Sequence, residues 1–211
     1  MSAKTRRYAD YYRQLANGTL KEVYDDETVT LSTVFYKANV ERVTFTKCTE
    51  IRESSSTGPF QLCPKLSYVD FPELKIVGIN AFAQTKLLTS VFFPKVTNVR
   101  SSAFTKSNVE MVNLPVCISL RSYCFNACGK LKEIKIPICS VIKAGAFSDC
   151  SVLEKIFLDG VTAVPTLETN VFAGTPETLK IIVPDTLVDS FKTATNWSAY
   201  ADRIIGVTEY E

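Results

Sequence analysis

The sequence contains no histidine. That absence removes the commonest general base, the commonest metal ligand and the base of the usual serine and cysteine triads. It is the strongest single argument against an ordinary hydrolase. Excess charge of one sign is also missing, since 24 Lys and Arg against 22 Asp and Glu leave a net charge of +2. A nucleic-acid binder normally carries a basic face or stripe, so no nucleic-acid partner is expected. No run of about 18 apolar residues occurs, so no membrane-spanning helix is expected. Lys4, Arg6 and Arg7 open the chain, but no apolar segment of signal-peptide length follows them. The expectation is a cytosolic protein as written, or a surface or secreted one if the sequence is truncated. The eight glycines are scattered. They form no phosphate loop, and no Gly-x-Ser-x-Gly nucleophile turn is present. No cofactor and no enzymatic activity are expected.

What is present is a repeat. Composition is 46% hydrophobic and 22% charged, which suits an ordered chain able to bury a core. Phenylalanines recur at Phe60, Phe82, Phe104, Phe125, Phe147 and Phe172, in steps of 22, 22, 21, 22 and 25. A second series, Val40, Leu66, Leu88, Val109, Leu131 and Leu153, steps by 26, 22, 21, 22 and 22. A third, Pro72, Pro94, Pro115 and Pro137, steps by 22, 21 and 22.

Each unit opens on a pattern such as Leu66-Ser-Tyr-Val69-Asp-Phe71-Pro72 or Leu131-Lys-Glu-Ile134-Lys-Ile136-Pro137. The alternation has period 2 and reads as a short strand with one buried face. Proline ends it because it has no N–H for the ladder. A second apolar point follows at Ile51, Val77, Val99, Leu120, Ile142 and Val164. A small residue then precedes the phenylalanine, as in Ala81-Phe82 and Ala146-Phe147.

One such unit cannot bury its own apolar face, whereas stacked units share a continuous core. The fold expected is a repeat solenoid, mainly β, with one short parallel strand per repeat of about 22 residues. Crossover sterics favour a right-handed coil. Six repeats span 40–178, between an N-terminal cap over 1–39 and a C-terminal cap over 179–211, both with helices. In the first cap Tyr8, Tyr12 and Leu15 recur at helical spacing, Asn17-Gly18 reads as a helix stop, and a degenerate first coil follows. In the second, Asp185 suits a helix N-cap and Trp197 would seal the last coil. Two insertions, within Arg52–Pro59 and within Pro165–Val171, read as surface loops.

These motifs resemble the BspA-like, or Treponema-type, leucine-rich repeats over about residues 40 to 205. The resemblance rests on the strand-Pro pattern, the Ile/Val-x-x-x-x-Phe segment and the Phe-x-x-Cys steps Phe125–Cys128 and Phe147–Cys150. The Val183-Pro184 to Tyr200 ending completes it. It implies a leucine-rich-repeat coil used as an interaction scaffold in bacteria and protists. Several members of that class are surface adhesins.

The seven cysteines fall on repeat positions. Cys63, Cys128 and Cys150 lie three after the phenylalanine, where other units have Thr85, Ser107 and Thr175. Cys48, Cys117 and Cys139 lie two after the proline position, and Cys124 replaces the small residue before Phe125. All are expected as buried free thiols rather than disulfides or metal ligands.

On each strand the residues between the buried pair point outward. One column is Arg42, Tyr68, Ser90, Met111, Glu133, Lys155, and the next is Thr44, Asp70, Phe92, Asn113, Lys135, Phe157. Large apolar side chains at outward positions mark interfaces. The expected partner-binding residues are Tyr68, Asp70, Phe92, Met111, Asn113, Lys135 and Phe157, and the expected partner is a protein. The alternative is a glycan or surface-adhesion module, with Tyr68, Phe92 and Phe157 as stacking platforms. Lys132, Lys135 and Lys155 interleave with Glu110, Glu133 and Glu154 as a solvated charge ladder.

Overall fold

A computed structural model describes residues 10–11, 13–32, 34–52 and 57–211. The chain winds as a mainly β parallel solenoid of about eight turns. Its coils contribute strands in pairs. The pairs are β1 (Glu22–Asp25) with β2 (Thr30–Leu31), β3 (Arg42–Phe45) with β4 (Glu50–Ile51), and β5 (Tyr68–Asp70) with β6 (Ile76–Val77). They continue as β7 (Ser90–Phe92) with β8 (Asn98–Val99), and β9 (Met111–Asn113) with β10 (Ser119–Leu120). Then come β11 (Glu133–Lys135) with β12 (Val141–Ile142), and β13 (Lys155–Phe157) with β14 (Thr166–Leu167). Strands β15 (Lys180–Val183) and β16 (Ile204–Gly206) complete the set.

Odd-numbered strands and β16 form one face and even-numbered strands through β14 the other, all parallel. The periodicity predicts one strand per repeat. The structure has two, because the second apolar point is itself a two-residue strand that pairs with its copies. The first face is interrupted, with β1-β3-β5 in one sheet and β7-β9-β11-β13-β15-β16 in another. The second sheet runs unbroken from β2 to β14.

The core lies between the two faces. The repeat phenylalanines stack face to face along its axis, in the order Phe35, Phe60, Phe82, Phe104, Phe125, Phe147 and Phe172. Their centroid separations run from 5.1 Å (Phe104–Phe125) to 5.8 Å (Phe147–Phe172). Burying each ring contributes roughly 1.5–3 kcal/mol, and each ring contact adds about 0.5–1.5 kcal/mol. Phe45, Phe71 and Phe93 begin a second column behind the first face, continued by Leu114, Ile136 and Leu158. At its N-terminal end Asp25 stands opposite Phe45 in the strand register. Its buried carboxylate accepts the Glu27 and Thr28 N–H groups and the Thr28 hydroxyl.

The coils from Phe82 to Phe172 each turn twice around the phenylalanine through residues with left-handed backbone. Asn80 and Gln84 flank Phe82, Ser102 and Lys106 flank Phe104, Tyr123 and Ala127 flank Phe125, and Gly145 and Asp149 flank Phe147, with φ between 53° and 62°. Glycine fills such a place only at Gly145 and Gly174 within the repeats. Elsewhere residues with a Cβ are held there by the packing around them, at a cost of roughly 1 kcal/mol each. Close coil approach needs Gly78 for a different reason, because a Cβ there would stand 2.2 Å from the Ile51 carbonyl oxygen.

At the N-terminal end residues 10–11 and 13–16 are helical. Tyr11 and Leu15 pack on the core, and the Tyr11 hydroxyl donates to the Tyr24 carbonyl at 2.7 Å. Gly18 stops this helix with φ +67°. Tyr8, Tyr12 and part of the Arg52–Pro59 insertion lie outside the described residues. Strands β1 and β2 and the ring of Phe35 stack in register on the coil that follows.

Three readings at the C-terminal end are corrected. The second apolar point of the sixth coil is Leu167, paired with Ile142, and not Val164. The three residues this coil has beyond its neighbour therefore precede β14, at Thr162, Ala163 and Val164. Asp185 is not a helix cap. It begins a 3₁₀ turn, Asp185–Leu187, and its carboxylate accepts the Thr208 N–H and hydroxyl. Ile204 and Ile205 belong to β16, which adds a rung to the first face. Helices here are short, α1 (Val188–Thr193) and α2 (Val207–Tyr210). Trp197 seals the stack as expected, fully buried against Phe172 and Phe191.

Candidate functional site

The odd-numbered strands present the two outward columns in the expected register. Ser90 stands beside Met111, Met111 beside Glu133 and Glu133 beside Lys155. Phe92 stands beside Asn113, Asn113 beside Lys135 and Lys135 beside Phe157. Alternation explains this placement. Val91, Val112, Ile134 and Ile156 turn inward to the core, so their neighbours must face out.

The seven expected residues do not form one patch. Phe92 is 60% exposed and Met111 56%, far more than a side chain with a packing role would be. With Ser90, Asn113, Glu133 and Lys135 they line a shallow depression of about 200 Å³. Ser90 and Glu133 thus join the site. Both stood in the outward columns, and only their small or charged side chains kept them from being singled out.

Tyr68 and Asp70 lie on β5, across the interruption in the first face from Phe92. The Tyr68 ring is already engaged, with the Arg42 guanidinium 4.0 Å from its centroid. Phe157 is half-buried, because the Tyr210 ring of α2 packs on it edge to face at 5.5 Å and the Lys135 ammonium sits 5.2 Å from its centroid. Chain-terminal residues from 53 positions away cannot be read from a local repeat.

The charge ladder forms partly between coils and partly along a strand. Lys132 reaches Glu110 on the preceding coil at 3.2 Å, and Lys135 reaches Glu133 at 3.5 Å. Both pairs are solvent-screened and contribute little stability. Lys135 therefore stands at the rim of the depression with its charge shared between Glu133 and the Phe157 ring.

All seven cysteines are free and buried. Those three after the phenylalanine share one role. Cys63, Cys128 and Cys150 donate their S–H to the carbonyl of the phenylalanine one coil earlier, Phe35, Phe104 and Phe125, at 2.9, 3.0 and 3.1 Å. Thr85 and Thr175 bond instead to Phe82 and Phe172 of their own coil. Burial pushes the Cys48 thiol up to about 11 and the Cys63 thiol to about 12, and it holds Cys124 well above its ordinary value. Thiols held protonated in this way are poor nucleophiles and poor metal ligands. Among the described residues no group of three or more metal-ligating side chains is close enough to hold an ion. Nor, among the described residues, is any helix long and apolar enough to cross a membrane.

The sequence profile of the BspA type leucine rich repeat region matches the chain in six copies, over residues 20–110 and 53–178. No curated protein matches it. Among solved structures, a leucine rich cell surface protein from Faecalibacterium prausnitzii A2-165 is similar over 89% of this chain and 78% of its own. Identity is 15% and the TM-score 0.35, a likeness too weak to bear on function.

Proposed function

The chain belongs to the BspA-type leucine-rich repeat family, and from that membership we propose that it is a non-enzymatic scaffold that captures a partner protein on its first face, at Phe92 and Met111. The observation that carries this reading is the exposure of those two large apolar side chains around one depression rimmed by Ser90, Asn113, Glu133 and Lys135. An apolar centre with a polar rim is the anatomy of a protein interface. Nothing in the fold needs either side chain where it is, since Val91 and Val112 supply the core from the same strands.

A glycan-binding reading has less support. It needs three aromatic platforms, and two of them are occupied, Tyr68 by Arg42 and Phe157 by Tyr210. Only Phe92 presents a free face.

The test replaces Phe92, Tyr68 and Met111 together by Ser. Proteins retained by the immobilised wild-type chain should be lost from the variant, while its thermal midpoint stays within a few degrees. Retention of the same proteins by the variant would sink the reading, and glycan-array signal that depends on Phe92 would transfer the face to the alternative.

A further inference from the structure

On the second face one residue position recurs directly after the short strands: Ser32, Arg52, Gly78, Arg100, Arg121, Lys143 and Glu168 follow β2, β4, β6, β8, β10, β12 and β14. The strand register sets Arg100 beside Arg121, Arg121 beside Lys143, and Lys143 beside Glu168. At the last step the column satisfies itself. The Glu168 carboxylate accepts the Lys143 ammonium at 2.6 Å and the Ala144 backbone N–H at 2.9 Å. Those two hydrogen bonds, Lys143 first, hold the Glu168 carboxyl below its ordinary value. A cation and the next backbone N–H of one coil thus make a two-donor seat, and the following coil supplies the carboxylate.

At the preceding steps the following coil supplies no carboxylate. Ile79, Ser101 and Ser122 occupy the place of Ala144, and their N–H groups donate to no acceptor among the described residues. The reason is chemical. The side chains that follow them on the next coil are Arg100, Arg121 and Lys143, which can only donate. A depression of about 500 Å³ opens over this stretch, lined by Ile76, Ile79, Asn98, Arg100, Ser101 and Arg121. Arg100 also reaches Glu50 at 3.9 Å, and Glu50 pairs with Arg52 at 3.5 Å. The Arg121 guanidinium is exposed and makes no ion pair or hydrogen bond among the described residues. Among the described residues the chain therefore lodges its own carboxylates toward the two ends of the strip, Glu50 and Glu168, and none on Arg121.

We propose that this middle stretch is a carboxylate-binding site that takes an acidic side chain of an extended partner polypeptide between the Arg121 guanidinium and the Ser101 N–H. It is separate from the Phe92 face and does not depend on it. A polypeptide fits better than an acidic sugar on three counts. The occupant of the complete seat is itself a glutamate. Ile76 and Ile79 offer an apolar wall for its methylene groups. The N–H groups of Ile79 and Ser122, without an acceptor among the described residues, lie one coil to either side, about 4.8 Å away, where they would meet the backbone carbonyls of the same segment.

The experiment is fluorescence anisotropy of a labelled hexaglutamate peptide on the full chain, with hexaglutamine and a labelled oligogalacturonate as the other probes. Hexaglutamate should bind and hexaglutamine should not. Arg121→Gln removes a charge-assisted hydrogen bond and should weaken binding by about tenfold or more. Arg121→Glu should abolish it while leaving the thermal midpoint no lower than wild type, because its own carboxylate then fills the seat as Glu168 does on Lys143 and Ala144. Lys130→Gln, at an exposed lysine outside the strip, and the Ser triple variant of the first face should both bind as wild type does. Absence of hexaglutamate binding, wild-type binding by both Arg121 variants, or an equal loss in Lys130→Gln would overturn the site. Tighter binding of oligogalacturonate than of hexaglutamate would overturn the polypeptide occupant.

Discussion

The indole N–H of Trp197 donates to the carbonyl of Pro165 at 2.7 Å, while its ring closes the end of the phenylalanine column against Phe172 and Phe191. One side chain thus ties the loop before β14 to the last turn of the chain and keeps the final coil dry. Neither half of that task survives truncation. Trp197→Ala should cost about 3–5 kcal/mol. Trp197→Phe keeps most of the ring and leaves the buried carbonyl without its donor, for about 1–3 kcal/mol. Urea denaturation followed by far-UV circular dichroism measures both, and equal midpoints for Trp197→Phe and wild type would remove the hydrogen bond from the account.

Two phenylalanines separate core from face. Phe125 is fully buried between Phe104 and Phe147, and Phe92 is mostly exposed. Phe125→Ala should lose about 3–5 kcal/mol, and Phe92→Ala should stay within about 0.5 kcal/mol of wild type. Denaturation of the two single variants side by side checks the contrast. A large loss at Phe92 would mean that its ring is structural.

The left-handed turns predict substitutions of opposite sign. Ala127 carries φ +53°, so Ala127→Gly should stabilise the chain by up to about 0.5 kcal/mol after the extra entropy of glycine in the unfolded chain is set against the relieved strain. Gly145 carries φ +62°, and a Cβ there would stand 2.4 Å from the Tyr123 ring. Gly145→Ala should therefore cost about 1–3 kcal/mol. Thermal midpoints read both changes.

The raised thiols of Cys48 and Cys63 predict a loss of stability in alkali. Cys48 and Cys63 titrate near 11 and 12 in the folded chain against 9.0 for a free thiol. The folded state holds these protons more tightly, so the contribution is complete below pH 9 and is lost as pH rises from there through 11 and 12. Each such thiol removes up to about 1.4 kcal/mol per pH unit in that window. Urea midpoints should be level from about pH 6 to 8 and fall above about pH 9. The Cys48→Ala, Cys63→Ala double variant should show a shallower fall, and an unchanged slope would assign the decline elsewhere.

Legibility in the sequence followed chemical uniformity. Phe82, Phe104 and Phe125 recur because one ring must lie on the next, and the cysteine positions followed from that register. So did the outward columns, including Ser90 opposite Met111. The second strands were invisible as strands because each is only two residues long, most with one apolar member, as in Asn98–Val99. The same brevity let Val164 pass for Leu167. Positions such as Gln84 and Lys106 adopt left-handed backbone without the glycine that would announce it. Phe157 looked free because its cover, Tyr210, comes from outside the repeat. The proposed seat beside Arg121 was hidden for a different reason: half of it is the Ser101 backbone N–H, which no sequence pattern displays.

The interruption between β5 and β7 has a mechanical consequence. The first face lacks its ladder there, while the second sheet and the phenylalanine stack run straight through. Such a stack is stiff along one side and compliant at a single joint on the other, so flexing concentrates where backbone hydrogen bonds are fewest. Bending at that joint changes the distance from Tyr68 to Phe92 and leaves the depression around Phe92 and Met111 intact. The coil stack is thereby a spring with one soft turn, placed beside the surface that would grip.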